Sequence, residues 1–251
     1  MNLRLWRPGV WWLAASLAAA AAPALAQETN RTVRVLLVTG IDYPGHHWRE
    51  TTPVLKGLLE HDPRLDVRVV EDPGFLDSAE LTNYAVVLLH FMNWECSAPG
   101  RAARENLRRF VEGGKGLMLV HFACGAWQDW PEFRRLAGRV WDPRLRPHDP
   151  RGPFQVEIAD PQHPITHGLE PFTTDDELYT CLAGESPIQV LAVARSKGDG
   201  KPYPMAFVHP YGQGRVFVTV LGHDTKALTL TGVPNLLRRG CAWAAGVPVT
   251  P

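Results

Sequence analysis

His121 closes the apolar run Gly116-Leu117-Met118-Leu119-Val120, and the small residues Ala123, Gly125 and Ala126 follow it. A polar residue at the carboxyl end of a buried strand, just before a tight turn, stands where open α/β sheets bind ligands. Other segments repeat the arrangement. Val33–Thr39 leads into Asp42, His46 and His47. Ala85–Leu89 leads into His90, Asn93, Trp94 and Glu95, and Arg215–Val220 leads into Gly222-His223-Asp224. A separate acidic patch, Thr174-Asp175-Asp176-Glu177-Leu178-Tyr179, has a location that depends on the fold. Histidines and carboxylates converging from distant segments either hold a divalent ion or exchange protons with a substrate. No H-E-x-x-H or C-x-x-C marks a local metal site, and no phosphate-cradling glycine motif follows the first strand. His61, His163 and His167 read as helix-end or turn residues. Trp48, Trp94, Trp127 and Trp130 fall near the same edge, where large aromatics either stack on sugar rings or pack a core.

Elements of an α/β sheet must position these residues. The runs 33–39, 85–89 and 116–120 do not alternate and read as strands buried on both faces, whereas Leu65–Val70 alternates. Between them, Glu50–Glu60 carries Val54, Leu55, Leu58 and Leu59 at helical spacing. Arg101–Glu112 turns Leu107, Phe110 and Val111 inward and stops at Gly113-Gly114. Strands alternating with helices imply βαβ units and a parallel sheet. Pro131–Ala137 reads as a further helix and proline-rich Val140–Pro153 as a long loop. The rhythm then changes: 154–158, 188–194, 204–208 and 215–220 are strands without long helices between them, with a hairpin turn at 209–214 and a closing helix at 234–245.

The composition, 45% hydrophobic and 21% charged, is that of a globular chain with one sizeable core. Residues 1–26 read as a Sec-type signal peptide. Arg4 and Arg7 precede a short apolar core, and Ala24-Leu25-Ala26 forms the cleavage site, so a mature single domain of residues 27–251 begins at Gln27. The expected location is the periplasm or the medium, with no stable membrane insertion after cleavage. Lysine plus arginine equals aspartate plus glutamate at 26 each, and loss of Arg4 and Arg7 leaves the mature chain slightly acidic. No basic cluster suggests a nucleic-acid partner. The sequence sets no oligomeric state and admits a homo-oligomer. Export implies an oxidising compartment, and Cys96, Cys124, Cys181 and Cys241 allow three full pairings or free buried thiols.

Taken in order, several motifs resemble the ThuA-like (trehalose utilisation) family, over nearly all of Val33 to Gly246. They are His46-His47-Trp48-Arg49-Glu50, Gly116 to His121, Asp129-Trp130-Pro131-Glu132-Phe133, Asp160 to Thr166, Asp176-Glu177-Leu178-Tyr179, Tyr211 to Phe217 and Leu221-Gly222-His223-Asp224. The resemblance implies a class I glutamine-amidotransferase-like fold: a flavodoxin-like three-layer sandwich with a mainly parallel central sheet and additional hairpin strands in the C-terminal half. Where amidotransferases carry a catalytic Cys at the strand end, this chain has His121, and Cys124 lies three residues on. That departure argues against glutaminase chemistry. By position the resemblance implies His47, His121, Glu177 and His223 as catalytic residues. The same four are the candidate ligands of a divalent ion, zinc, manganese or iron. Trp48, Trp94, Trp127, Asp176 and Asp224 are the candidate substrate-binding residues.

The family's association with disaccharide oxidation to 3-keto sugars implies a small modified carbohydrate as substrate. A 3-keto group acidifies the neighbouring C2–H, so a base and a stabiliser of the enediolate suffice for elimination, isomerisation or epimerisation. A retaining glycosidase would need two carboxylates about 5 Å apart, and no such pair is evident. The alternatives are a sugar-binding protein without catalysis and a hydrolase using Cys124.

Overall fold

A computed structural model describes residues 32–250 of the chain. The signal peptide read at 1–26 lies outside the described residues. Continuous apolar runs become the centre of a nine-stranded sheet ordered β2-β1-β3-β4-β11-β10-β9-β6-β7. Strands β1 (Val33–Val38), β2 (Leu65–Val70), β3 (Val86–Leu89), β4 (Gly116–Val120) and β11 (Gly214–Thr219) are parallel. Every residue of β3 and β4 is buried, as strands covered on both faces require.

Successive side chains along these strands feed two cores. Leu37, Leu88 and Met118 meet α1 (Trp48–Glu60) and α5 (Val233–Ala245), while Leu36, Leu89 and Leu119 meet α2 (Arg101–Glu112) and α3 (Pro131–Ala137). The result is a three-layer α/β sandwich. Register aligns the strand ends: Val38 pairs with Leu89, Leu89 with Leu119, and Val120 with Thr219. The loops after β1, β3, β4 and β11 therefore leave from one edge.

The remaining strands, β10 (Pro202–Tyr211), β9 (Gln189–Arg195), β6 (Gly152–Ile158) and β7 (Phe172–Asp176), are antiparallel. A two-residue turn, with Gly212 at φ +57°, joins β10 to β11. Register shifts near Ala206 in β10 mark bulges, which bend a strand and increase its twist. This half curls far enough that the end of β7, at the outer edge of the sheet, meets the end of β11: the Gly222 amide donates to Asp176 Oδ2 at 2.7 Å.

The segment expected as a long loop, 140–153, is partly ordered by pairing instead. Val140–Trp141 (β5) pairs with Leu182–Ala183 (β8), and beyond it Asp149 N donates to Leu178 O and Thr180 N to Pro147 O. A period-based reading finds no signal there because the ladder is short and interrupted by prolines. The polar strand β7 and the five-residue helix α4 (Thr225–Thr229) also lacked apolar periodicity. Among the described residues no helix is long and apolar enough to cross a membrane.

Candidate functional site

Four side chains from four of these connections meet at the sheet edge. One ligand atom each from His46, His121, Glu177 and His223 lies within 4.8 Å of the others. His121 follows β4 and opens a buried 3₁₀ turn, His121–Gly125, with φ +50°. That left-handed conformation is uncommon outside glycine and costs energy unless the surroundings hold it. Here the hold is a 2.7 Å hydrogen bond from Nδ1 to Val220 O. A carbonyl only accepts, so Nδ1 carries a proton, and the tautomer this selects presents its lone pair at Nε2. Tyr179 Oη donates to that nitrogen at 3.0 Å, and burial pushes the phenol pKa well up, keeping it a donor.

His46 comes from the loop after β1. Gly40 permits the departure of that loop: at φ +107° a Cβ there would stand 1.8 Å from Glu71 O. The His46 ring stacks on Phe122, with centroids 4.6 Å apart, and Nδ1 lies 3.3 Å from Pro44 O. Its Nε2 is buried with no hydrogen-bond partner. Burial, then the charges of His121 and His223, take its pKa down to about 3, so the ring is neutral at physiological pH.

His223 and Glu177 are locked together by Asp176. That fully buried carboxylate accepts from the backbone amides of Gly222, His223 and Glu177, although burial itself pushes its pKa up. His223 Nδ1 lies 3.3 Å from Glu177 Oε2 and 3.2 Å from His121 Nε2; His121 Nε2 lies 3.5 Å from the same oxygen. The Glu177 bond raises the His223 pKa. Burial opposes ionisation of Glu177, yet the imidazoles of His121 and His223 beside it hold it well below the usual carboxylate range.

These residues fit a divalent ion. Ligands about 2.1 Å from a tetrahedral ion stand ~3.4 Å apart, which is the spacing of His121, Glu177 and His223. His46 adds an unpartnered lone pair, and both His46 and His121 have Nδ1 turned to a backbone carbonyl, the outer-shell bond that fixes a metal-binding tautomer. Without an ion, the same contacts pass protons between imidazole and carboxylate.

His121, Glu177 and His223 thus come together as the sequence suggested, but the fourth position belongs to His46. His47 is exposed at the N-cap of α1, where only its carbonyl is used. Trp94 lines the pocket above the cluster, together with Tyr43, Trp141, His148 and Tyr179. Trp48 and Trp127 do not. Trp48 is buried with Nε1 donating to Asp42, and Trp127 belongs to the α2/α3 core. Asp176 spends its oxygens on backbone amides rather than on the pocket. Asp224 caps α4 through the Ala227 amide and pairs with Arg151.

His90, at the end of β3, is buried against Thr51 and Thr52, and burial lowers its pKa to about 3. All four cysteines are free. Cys124 is fully buried outside the pocket, and burial pushes its thiol pKa well up, which removes the basis for a nucleophile there. Tyr179, Trp141 and His148 were not singled out by sequence. Tyr179 adjoins Glu177 in the quoted motif, whereas His148 is brought in only by an isolated bridge to Tyr179.

A family model described as ThuA, trehalose utilisation, matches residues 34–244. A ThuA-like protein from Parabacteroides merdae is 27% identical, with TM-score 0.78, covering 88% of this chain and 92% of its own. One from Bacteroides uniformis is 19% identical, with TM-score 0.67, over 86% of this chain and 91% of its own. A Rahnella β-galactosidase, 13% identical with TM-score 0.59, matches 87% of this chain over 32% of its own and shares the fold. Among functionally curated proteins, none matches the chain.

Proposed function

The chain belongs to the ThuA family, described by trehalose utilisation and so carbohydrate-related, and from that premise we propose an exported enzyme acting on a 3-keto sugar or 3-keto-glycoside. The observation that carries the proposal is the convergence of three imidazoles and one carboxylate, of which His46, Glu177 and His223 line a pocket of about 280 Å³ and His121 lies buried behind them. A 3-keto ring bound there brings its acidified C2–H to the cluster. A histidine takes the proton, and the released C–H electron pair forms the C1–C2 double bond. The C1–O bond breaks with its electrons on the glycosidic oxygen, which leaves after accepting a proton from a second group. Return of the proton to the opposite face of C2 instead gives epimerisation, and its delivery to C3, with the carbonyl moved to C2, gives isomerisation.

His223 suits the proton transfer, because its raised pKa makes it a stronger base when neutral than His46. Tyr179, held protonated, stabilises the enediolate oxygen by turning its one hydroxyl hydrogen from His121 Nε2 to the substrate. Where a divalent ion such as zinc, manganese or iron is bound, His46, His121, Glu177 and His223 are its ligands, and it supplies Lewis-acid stabilisation of the enediolate. His148, which lies 3.8 Å from Glu177 Oε1 and outside that ligand set, is then the side chain free to move the proton. The proposed site of action is the periplasm or the medium, after cleavage behind Ala26.

The test is incubation of the protein with 3-keto-glycosides and with their parent sugars, followed by NMR with and without chelator. We expect conversion of the keto forms alone. Binding without conversion would make this a carbohydrate-binding protein, and hydrolysis of the parent sugars would refute the acidified C2–H.

A further inference from the structure

Among the described residues Trp94 is one of two large apolar side chains left exposed, at 38% of its surface. It is not loose. Its indole Nε1 donates to Gly125 O at 2.5 Å, Tyr43 meets it at 5.9 Å and 79°, and Trp141 at 6.0 Å and 74°. A rigid, partly open indole at the rim of a pocket is preorganised for a ligand, since the solvent exposure is a standing cost and the side chain loses little freedom on binding.

The rings also form a path. Tyr179 lies 4.8 Å from the His121 ring, Trp141 4.8 Å from Tyr179, and Trp94 beyond Trp141. The aromatic wall therefore runs from the reacting cluster to the mouth. Exposure rises along it, from buried His121 and Tyr179 to the partly open Trp94.

The charge of the lining narrows the ligand further. Histidines, aromatics and Glu177 line the pocket, with no lysine or arginine among the described lining residues. A sugar phosphate would call for such cations and would meet the Glu177 carboxylate instead. The apolar C–H face of a pyranose suits an indole, and its hydroxyls suit His148 and Tyr179.

We infer that Trp94 is the platform of a second sugar subsite, so that the protein takes neutral, unphosphorylated glycosides of at least two rings, the reacting ring over the His/Glu cluster and the departing ring on Trp94. This rests on the keto-sugar reading above and deepens it. The test compares Trp94→Ala and Trp94→Phe with the unaltered protein. The substrates are the 3-keto forms of an α-linked and a β-linked glucose disaccharide, and the two methyl 3-keto-glucosides.

Loss of one stacking contact should raise KM for a disaccharide about tenfold in Trp94→Ala. kcat should stay near its original value, the methyl glucosides should be unaffected, and Trp94→Phe should recover most of the loss. Equal effects on one-ring and two-ring substrates, or no effect on either, would overturn the subsite. So would tighter binding of a 6-phosphorylated disaccharide. If the unaltered protein converts no keto sugar, the functional reading fails. The same length comparison made on Kd, by tryptophan fluorescence with the keto disaccharides and methyl keto-glucosides, still decides the subsite.

Discussion

A histidine that gives its Nδ1 proton to a carbonyl keeps Nε2 free, and His121 and His46 both face such carbonyls. Replacing His46 with Ala should therefore cut divalent-ion affinity at least 10–100-fold, a loss typical even of outer-shell partners. His47→Ala should leave ion binding unchanged and stability within about 0.5 kcal/mol, as titration calorimetry and thermal melts of the two variants would record. A pH effect belongs to the same scale. The His223 pKa is raised chiefly by Glu177, so in chelated protein its contribution to stability is full below about pH 6.5 and is lost as pH rises through the raised value. Melting curves between pH 5 and 9 should show this decline, and His223→Gln should flatten it. Much of this site was legible in sequence: His121 and His223 end apolar strands, and Glu177 lies in a recognisable motif. The choice between His46 and His47 was not, because no periodicity orients adjacent loop residues. The start of a helix at Trp48 was the available signal, since it makes His47 a cap. Asp224 carried a similar unread sign, standing as an N-cap before Thr225-Lys226-Ala227.

At the scale of elements, helix α5 lies against β11, the strand that delivers His223, and the approach is close because residue 240 is glycine. A Cβ there would stand 2.2 Å from the Phe217 ring. Alanine is the better helix former by about 1 kcal/mol, but overpacking costs typically ~1–3 kcal/mol, so packing decides the sign. Gly240→Ala is expected to lower the urea midpoint by a net loss on the order of 1–2 kcal/mol. An unchanged midpoint would mean that the two layers part without cost. The central parallel strands were readable as unbroken apolar runs, helix α2 from the spacing of Leu107, Phe110 and Val111, and helix α3 from the proline at its first turn. Strand β7, Phe-Thr-Thr-Asp-Asp, was not, because it is an edge strand whose polar residues serve neighbouring amides and surface ion pairs. That one omission hid how Glu177 reaches His121, since the curl of the antiparallel half is a property of the sheet rather than of any segment.

The whole molecule brings a carbohydrate-linked family fold, an edge cluster of imidazoles and carboxylate, and a start that reads as an export signal into one account. Protein recovered from the periplasm or the medium should have an intact mass that begins at Gln27; a full-length chain in the membrane fraction would contradict export. The central claim is that His46, His121, Glu177 and His223 work as one site on the C2–H of a keto sugar. The most direct measurement is NMR of a 3-keto-glycoside in D₂O with the unaltered protein and with His121→Ala. We predict loss of the C2 proton signal, by exchange or by elimination, with the unaltered protein. We also predict slowing by at least about 100-fold in the variant, the scale of a misplaced reacting group, because His121 is the ring that positions Tyr179, His223 and Glu177. A C2–H signal that persists unchanged beside the unaltered protein, or that disappears equally fast with His121→Ala, would contradict the account.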